Sequence, residues 1–183
     1  MTLNPDHLLP ALRPTSWLRH RGLSDDGFCD TIVSISLSRD LCATFTCGGA
    51  DLSYRGLSEL HLSAHGAWER AADNLIERAQ TPGGVHVRTR PASHLLGAGT
   101  PGLQVALPGA PAPAWLAHPR TFTLLDSHLA DLLGGPVVWW MLPGEELVAV
   151  RDGDVDKHPP EAVRQRHGFP AAVSARTSVP APA

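Results

Sequence analysis

Lysine is almost missing from this chain: Lys157 stands alone beside 14 arginines, and 18 acidic residues leave a net charge of −3. Without an arginine-rich cluster the electrostatic footprint of a nucleic-acid binder is missing, so no nucleic-acid partner is expected. The arginine bias, with abundant alanine, glycine and proline, reads as the codon usage of a GC-rich bacterial genome. Long apolar runs are missing too. No stretch nears the roughly 20 residues that cross a bilayer, and the opening MTLNPDHLLPALRP has neither a basic region nor an uninterrupted apolar one. A cytoplasmic location without a membrane partner is the expectation. Cysteine is scarce as well. Cys29, Cys42 and Cys47 are an odd number in a chain without a signal peptide, which argues for buried thiols and against a disulfide framework.

What is present describes a folded domain. Hydrophobic residues make up 43% and charged residues 18%, enough apolar surface for one core. We expect one α+β domain over 1–158, then a short helix from Pro159-Pro160 through Arg166 and a flexible tail. Leu8, Leu9, Leu12 and Leu18 approach helical spacing, but Pro10 and Pro14 interrupt, which predicts a broken N-terminal helix ending near Arg21-Gly22. Thr31–Leu37 alternates with Val33, Ile35 and Leu37 on the core face, and Leu41–Cys47 alternates again, predicting an antiparallel pair. Asp51–Leu62 fits strand, loop or helical turn.

A helix is clear from Ser63 to Gln80, where Trp68, Ala71, Ala72, Leu75, Ile76 and Ala79 form one apolar stripe behind a Ser63 cap. Its other face, with Glu69, Arg70, Asp73, Glu77 and Arg78, should sit in water. Strands are predicted at Val85–Arg90 and Leu103–Leu107, and the PGAPAP run at 108–113 reads as a surface loop pinned by Trp115 and Leu116. A second helix spans 123–133, with Leu125, Leu129, Leu132 and Leu133 inward. Gly135–Arg151 then reads as a hairpin turning at Pro143-Gly144-Glu145-Glu146. The expected architecture is an antiparallel sheet of about five or six strands with the two main helices packed on one face.

Chemical signatures are thin. His61 and His65 stand four apart, half of a zinc pattern, but no HExxH or paired carboxylate follows, so no metal is expected. Cys42 and Cys47 fall on opposite faces of one strand. Asp152, Asp154 and Asp156 start like a calcium loop, yet Lys157 replaces the turn glycine and Val163 the closing glutamate. There is no G-x-S-x-G and no phosphate loop, and LGAGTPG lacks a following helix, so no cofactor and no catalytic residue are assigned. Asp126 and His128 sit too close along one helix to form a dyad.

The tandem tryptophans carry the functional question. Alternation puts Val137, Trp139 and Met141 on one side of a strand and Val138, Trp140 and Leu142 on the other, so both faces are apolar and need covering. Either both faces are core under the chain's own elements, or, with only two strong helices to do the covering, one face stays open. Trp139, Trp140, Val138, Leu142 and Val148 are then the candidate binding surface for another protein or a second copy of the chain.

From Ala71-Asp73-Asn74-Leu75 onward, a helix ending in A-x-x-N-L, two strands, a leucine-rich helix and a final apolar hairpin follow in order. That order over Gly56–Arg151 resembles bacterial α+β proteins with a type III secretion chaperone-like fold. The resemblance implies helices on one sheet face and a role in holding another protein. The first functional expectation is therefore a non-enzymatic, chaperone-like binding module. The alternative is a small enzyme whose site gathers scattered residues such as His86, His94, His118 and Asp126.

Overall fold

The computed structural model describes residues 3–19, 30–157 and 173–175. After a 3-10 turn at Pro5–His7, strand β1 runs Leu8–Pro14, followed by the short helix α1, Thr15–Arg19. The broken helix expected here is mostly strand. Leu8, Pro10 and Leu12 point inward in alternation, and two prolines that would break a helix fit a sheet edge, where a missing N–H forfeits no ladder bond. The predicted helix end at Arg21-Gly22, Cys29 and the expected helix at 159–166 lie outside the described residues.

Strand β2, Ser34–Ser36, and strand β3, Leu41–Cys47, form the expected antiparallel pair, with Ile35 opposite Ala43. β1 pairs with the other side of β3 from Leu8 opposite Cys47 to Pro14 opposite Leu41, and β4, Ala50–Asp51, turns back on the end of β3. Helix α2 spans Tyr54–Glu59 behind a Ser53 cap, and α3 spans Ala64–Ala79 behind the Ser63 cap read from the sequence, Gly66 N–H donating to Ser63 Oγ at 3.0 Å. Leu8, Val33, Phe45 and Cys47 pack with Leu57, Ala67 and Ala71 under these helices.

Gln80–Thr81 (β5) and Gly84–Val85 (β6) form a minimal hairpin, and Arg88–Pro91 (β7) leads through the one-turn helix α4, Ser93–Leu96, to Leu103–Ala106 (β8). Gly102, at φ +98°, opens β8 where a Cβ would lie 2.4 Å from the Ala149 carbonyl oxygen, so only glycine lets the backbones approach. Helix α5 spans Pro119–Leu133, and the hairpin follows as β9, Val137–Leu142, and β10, Glu146–Arg151. β11, Val173–Ala175, pairs with the outer side of β9.

All pairings are antiparallel, and the α+β class holds, but the strands do not make one sheet of five or six. They divide into a four-stranded sheet of β1, β3, β2 and β4, a five-stranded sheet ordered β11-β9-β10-β8-β7, and the β5-β6 hairpin. The two main helices do not share a face either: α3 packs against β1 and β3 of the first sheet, whereas α5 packs against β9 and β10 of the second. The PGAPAP region is a partly exposed loop over 108–111, but its last two residues, Ala112 and Pro113, are buried. Ala112–Ala117 is a 3-10 turn whose six residues are all buried, with Trp115 in the core between Leu12 and Ala43 of the first sheet and Trp139 and Leu147 of the second.

The buried stripe of α5 also differs from the expected one. Thr121, Leu125 and Leu129 point inward at four-residue spacing, while Leu132, in the last turn, is 54% exposed. Leu129→Ala is therefore expected to cost about 2–5 kcal/mol and Leu132→Ala no more than about 0.5. Urea melts of the two variants check the assignment, and equal costs would reject it.

Candidate functional site

Strands β9 and β10 resolve the question of what covers the tandem tryptophans. Trp139, with Val137 and Met141, faces the core containing Leu147, Ala149, Leu125 and Leu129. Trp140 faces the opposite way and packs with Val138, Leu142, Val148 and Val150 against Ala92, Leu95, Leu96 and Val155. This second cover comes from α4 and from a 3-10 turn at Asp152–Lys157, two elements too short to show a helical period. Of the two readings the covered one holds and the open face is corrected: Trp139, Trp140, Val138, Leu142 and Val148 are all buried, none more than 8% exposed.

The edges of this sheet differ from its faces. At one end all four residues of β7 are exposed, with Arg90 Nε donating to Gln104 Oε1 at 2.6 Å and Gln104 in turn donating to Glu146. At the other end β11 lies on the outer side of β9, with Val173, Ser174 and Ala175 facing Met141, Trp140 and Trp139.

The residues put forward for chemistry are dispersed among structural duties. Asp126 accepts a 2.9 Å hydrogen bond from the Trp139 indole. His86 and His94 are exposed, well apart in the chain from His118 at the start of α5. His61, at φ +54°, sits in the connection between α2 and α3, so it does not share a helix face with His65. The thiols of Cys42 and Cys47 lie on opposite faces of β3, donating to the Arg13 and Asn4 carbonyls, and burial pushes the Cys42 thiol up against a smaller opposing pull from Arg13. Asp154 accepts from Arg151 Nε at 3.0 Å within the turn that covers Trp140.

One polar cluster does form, where the N-terminus of α5 meets α3. His118 is the N-cap of α5, 5% exposed, and its Nδ1 accepts the Arg120 backbone N–H at 3.1 Å. A ring nitrogen that accepts carries no proton, so the proton of the neutral imidazole sits on Nε2. Nε2 lies 3.3 Å from Glu69 Oε1 but off the line of a good hydrogen bond, and His65 Nε2 approaches the same oxygen at 3.8 Å. The Trp68 ring stacks edge-on against His118 at 4.6 Å between centroids and donates its indole N–H to the Ala117 carbonyl at 2.8 Å. Arg120 pairs with Asp73, and Arg70 with Asp6. The charged face of α3, expected merely to sit in water, thus ties the helix to its neighbours.

The leucine spacing predicts this helix from 123; Pro119 is the signal that places its start, because proline is favoured at the first helical position. That Glu69 and Asp73 lie across from it was not legible, since nothing local in the chain brings α3 to α5.

This arrangement does not suit a metal. Coordination through His118 Nε2 would require its proton to move to Nδ1, where it would face the Arg120 N–H and break the cap. Among the described residues no group of three His, Cys, Asp or Glu side chains is arranged to hold a metal ion, and no helix is long and apolar enough to cross a membrane. No protein family, curated protein or solved structure matches the chain.

Burial lowers the His118 pKa from its ordinary value of 6.5, outweighing the opposing attraction of Glu69. The unfolded chain then takes up this proton first as pH falls. The contribution is present in full above about pH 6.5 and is lost as pH drops through the lowered folded value. His118→Asn, which retains a capping side chain, should flatten this part of the stability profile, measured by denaturant midpoints from pH 7.5 downward; an unchanged slope would remove His118 as its source. Asp126→Ala strands the Trp139 indole and should cost about 1–3 kcal/mol.

Proposed function

We propose that the chain is a non-enzymatic, chaperone-like protein-binding module that takes an extended segment of another protein onto the outer edge of β9. The carrying observation is that this edge lacks the protection its neighbours have. Free edges of natural sheets are kept from pairing by charge, proline or brevity. β7 has Arg88, Arg90 and Pro91, and β1 has Pro10, Arg13 and Pro14. Across Val137–Leu142, β9 has no charge, no proline and no glycine, and among the described residues β11 pairs with its outer side at Trp139, Trp140 and Met141.

Such an edge suits recognition by strand addition, in which main-chain hydrogen bonds supply affinity and alternate side chains supply selectivity. An added strand would extend both faces of the sheet at once. Its side chains would fall beside Trp139 and Met141 on one face and Val138, Trp140 and Leu142 on the other, so the fitting segment is uncharged and β-branched. The reading moves the binding surface expected at the hairpin from its faces to its edge. It disfavours catalysis because His118 and Asp126 are engaged in capping and in holding Trp139.

Selection of displayed random peptides on the full chain tests this. We expect enrichment of uncharged runs of about five to seven β-branched residues without proline, with amide shifts on binding concentrated in Val137–Leu142. Enrichment of proline-rich or highly charged peptides, or shifts centred elsewhere, would overturn it.

A further inference from the structure

We infer that strand β7 is a second docking surface, taking an extended acidic segment of another protein whose carboxylates, two residues apart, meet Arg88 and Arg90. Charge in this chain is segregated. From Arg78 to Leu125 the sequence has four arginines, three histidines and no Asp or Glu, although the whole chain carries 18 acidic residues and a net charge of −3. Two of those arginines are engaged elsewhere, Arg78 with the Asp6 and Gly109 carbonyls and Arg120 with Asp73. The other two stand on β7.

All four residues of β7 are exposed, and no described strand lies beyond it. Arg88 and Arg90, two apart in a strand, share a face of the sheet and stand opposite Ala106 and Gln104 of β8. Gln104 is 7% exposed. Its Oε1 accepts from Arg90 Nε at 2.6 Å and its Nε2 donates to Glu146, so a buried amide fixes the direction of an exposed guanidinium. The terminal nitrogens of Arg90, and the whole Arg88 side chain, have no partner among the described residues. Two guanidiniums thus stand against the single carboxylate of Glu146, and positive charge is left over.

The backbone has the matching geometry. Ala92 N–H donates to the Gly102 carbonyl at 3.0 Å, in the register that sets Arg90 opposite Gln104 and Arg88 opposite Ala106. Antiparallel pairs alternate between bonded and unbonded, so Arg88 and Arg90 turn their N–H and C=O toward β8 while Thr89 turns both outward. Pro91 falls at the next outward position, where its missing N–H costs the ladder nothing. A strand added at Thr89 sets one residue opposite it and the two neighbours of that residue opposite Arg88 and Arg90, on one face. The fitting pattern is therefore acid, β-branched residue, acid, because opposite charges directly across a pair attract and like charges repel. The same rule argues against a second copy of β7 as the occupant, which would set arginine beside arginine. The charges that keep uncharged strands from this edge are those that select an acidic one.

Two exposed ion pairs hold a ligand weakly, below what a stringent peptide selection recovers, so the test is a direct titration of the full chain at low ionic strength, followed by amide chemical shifts. Two peptides of equal charge are compared, one with the core Thr-Glu-Val-Glu-Thr and one with Thr-Val-Glu-Glu-Thr. Only the first places both carboxylates on one face of a strand. It is expected to bind about two- to fivefold more tightly than its isomer, with shifts centred on Arg88–Arg90. Arg88→Gln, at an exposed side chain whose loss leaves the fold intact, should abolish that preference. Arg39→Gln, which removes the same charge from an exposed position outside β7, should leave it unchanged. Equal affinity for the two peptides, an equal loss in Arg39→Gln, or shifts centred outside β7 would overturn the proposal. The same shifts produced by an oligothymidylate of matched charge would overturn it in favour of a nucleic-acid backbone.

Discussion

The structure depends on the buried turn Ala112–Ala117, through which two separate sheets share one core. Trp115 contributes most of the apolar area here. Removing an indole of about 150–250 Å² from water stabilises by roughly 4–6 kcal/mol at the usual transfer coefficient. Its Nε1–H has no partner among the described residues, a cost of about 1–3 kcal/mol, so burial wins. Around it stand three alanines and a proline, all buried. Small residues let β1, β10 and α5 all approach the same segment. The Thr121 hydroxyl locks it from below, donating in the direction of the Trp115 and His118 carbonyls at 2.7 and 3.1 Å.

From that wedge the positions of α3 and α5 follow. Trp68 on α3 donates to the carbonyl of Ala117, the last residue of the turn, and His118, the next residue, starts α5. The two helices therefore meet over a fixed point of backbone, and Glu69, Asp73 and Arg120 are brought together as a consequence. The polar cluster is a product of how the core is assembled. Within it, His118 is confined to a single tautomer by the cap it makes.

How much of this could be read from the chain depends on the range of the interaction. The Ser63 cap, the stripe of α3, the β2-β3 pair and the terminal hairpin all rest on contacts within a few residues, and each was legible. β1 was not, because Leu8, Leu9 and Leu12 suit a helix as well as a strand until a neighbouring strand, 33 residues away at Ala11 and Thr44, decides the matter. Ala112 and Pro113 read as surface loop for a related reason. Proline and alanine usually mark surface, and only a partner on each side makes them core. The candidate site was half legible: the apolar hairpin stood out, but α4 and the 152–157 turn, which cover Trp140, are too short to show any period.

That cover changes what the hairpin's hydrophobicity means. An apolar strand buried on both faces is ordinary at the centre of a sheet, where pairing on both sides also satisfies its backbone. β9 is next to last, and the strand beyond it spans three residues. The side chains of β9 are thus those of a central strand, and β11 stands on its outer side. Charged residues on β9 would protect the edge but would have to be buried against Leu125 and Leu129 on one face or Leu95 and Leu96 on the other, at a cost of several kcal/mol each. Protection must therefore come from another segment of polypeptide. That segment is the C-terminal strand β11, which pairs with the outer side of β9.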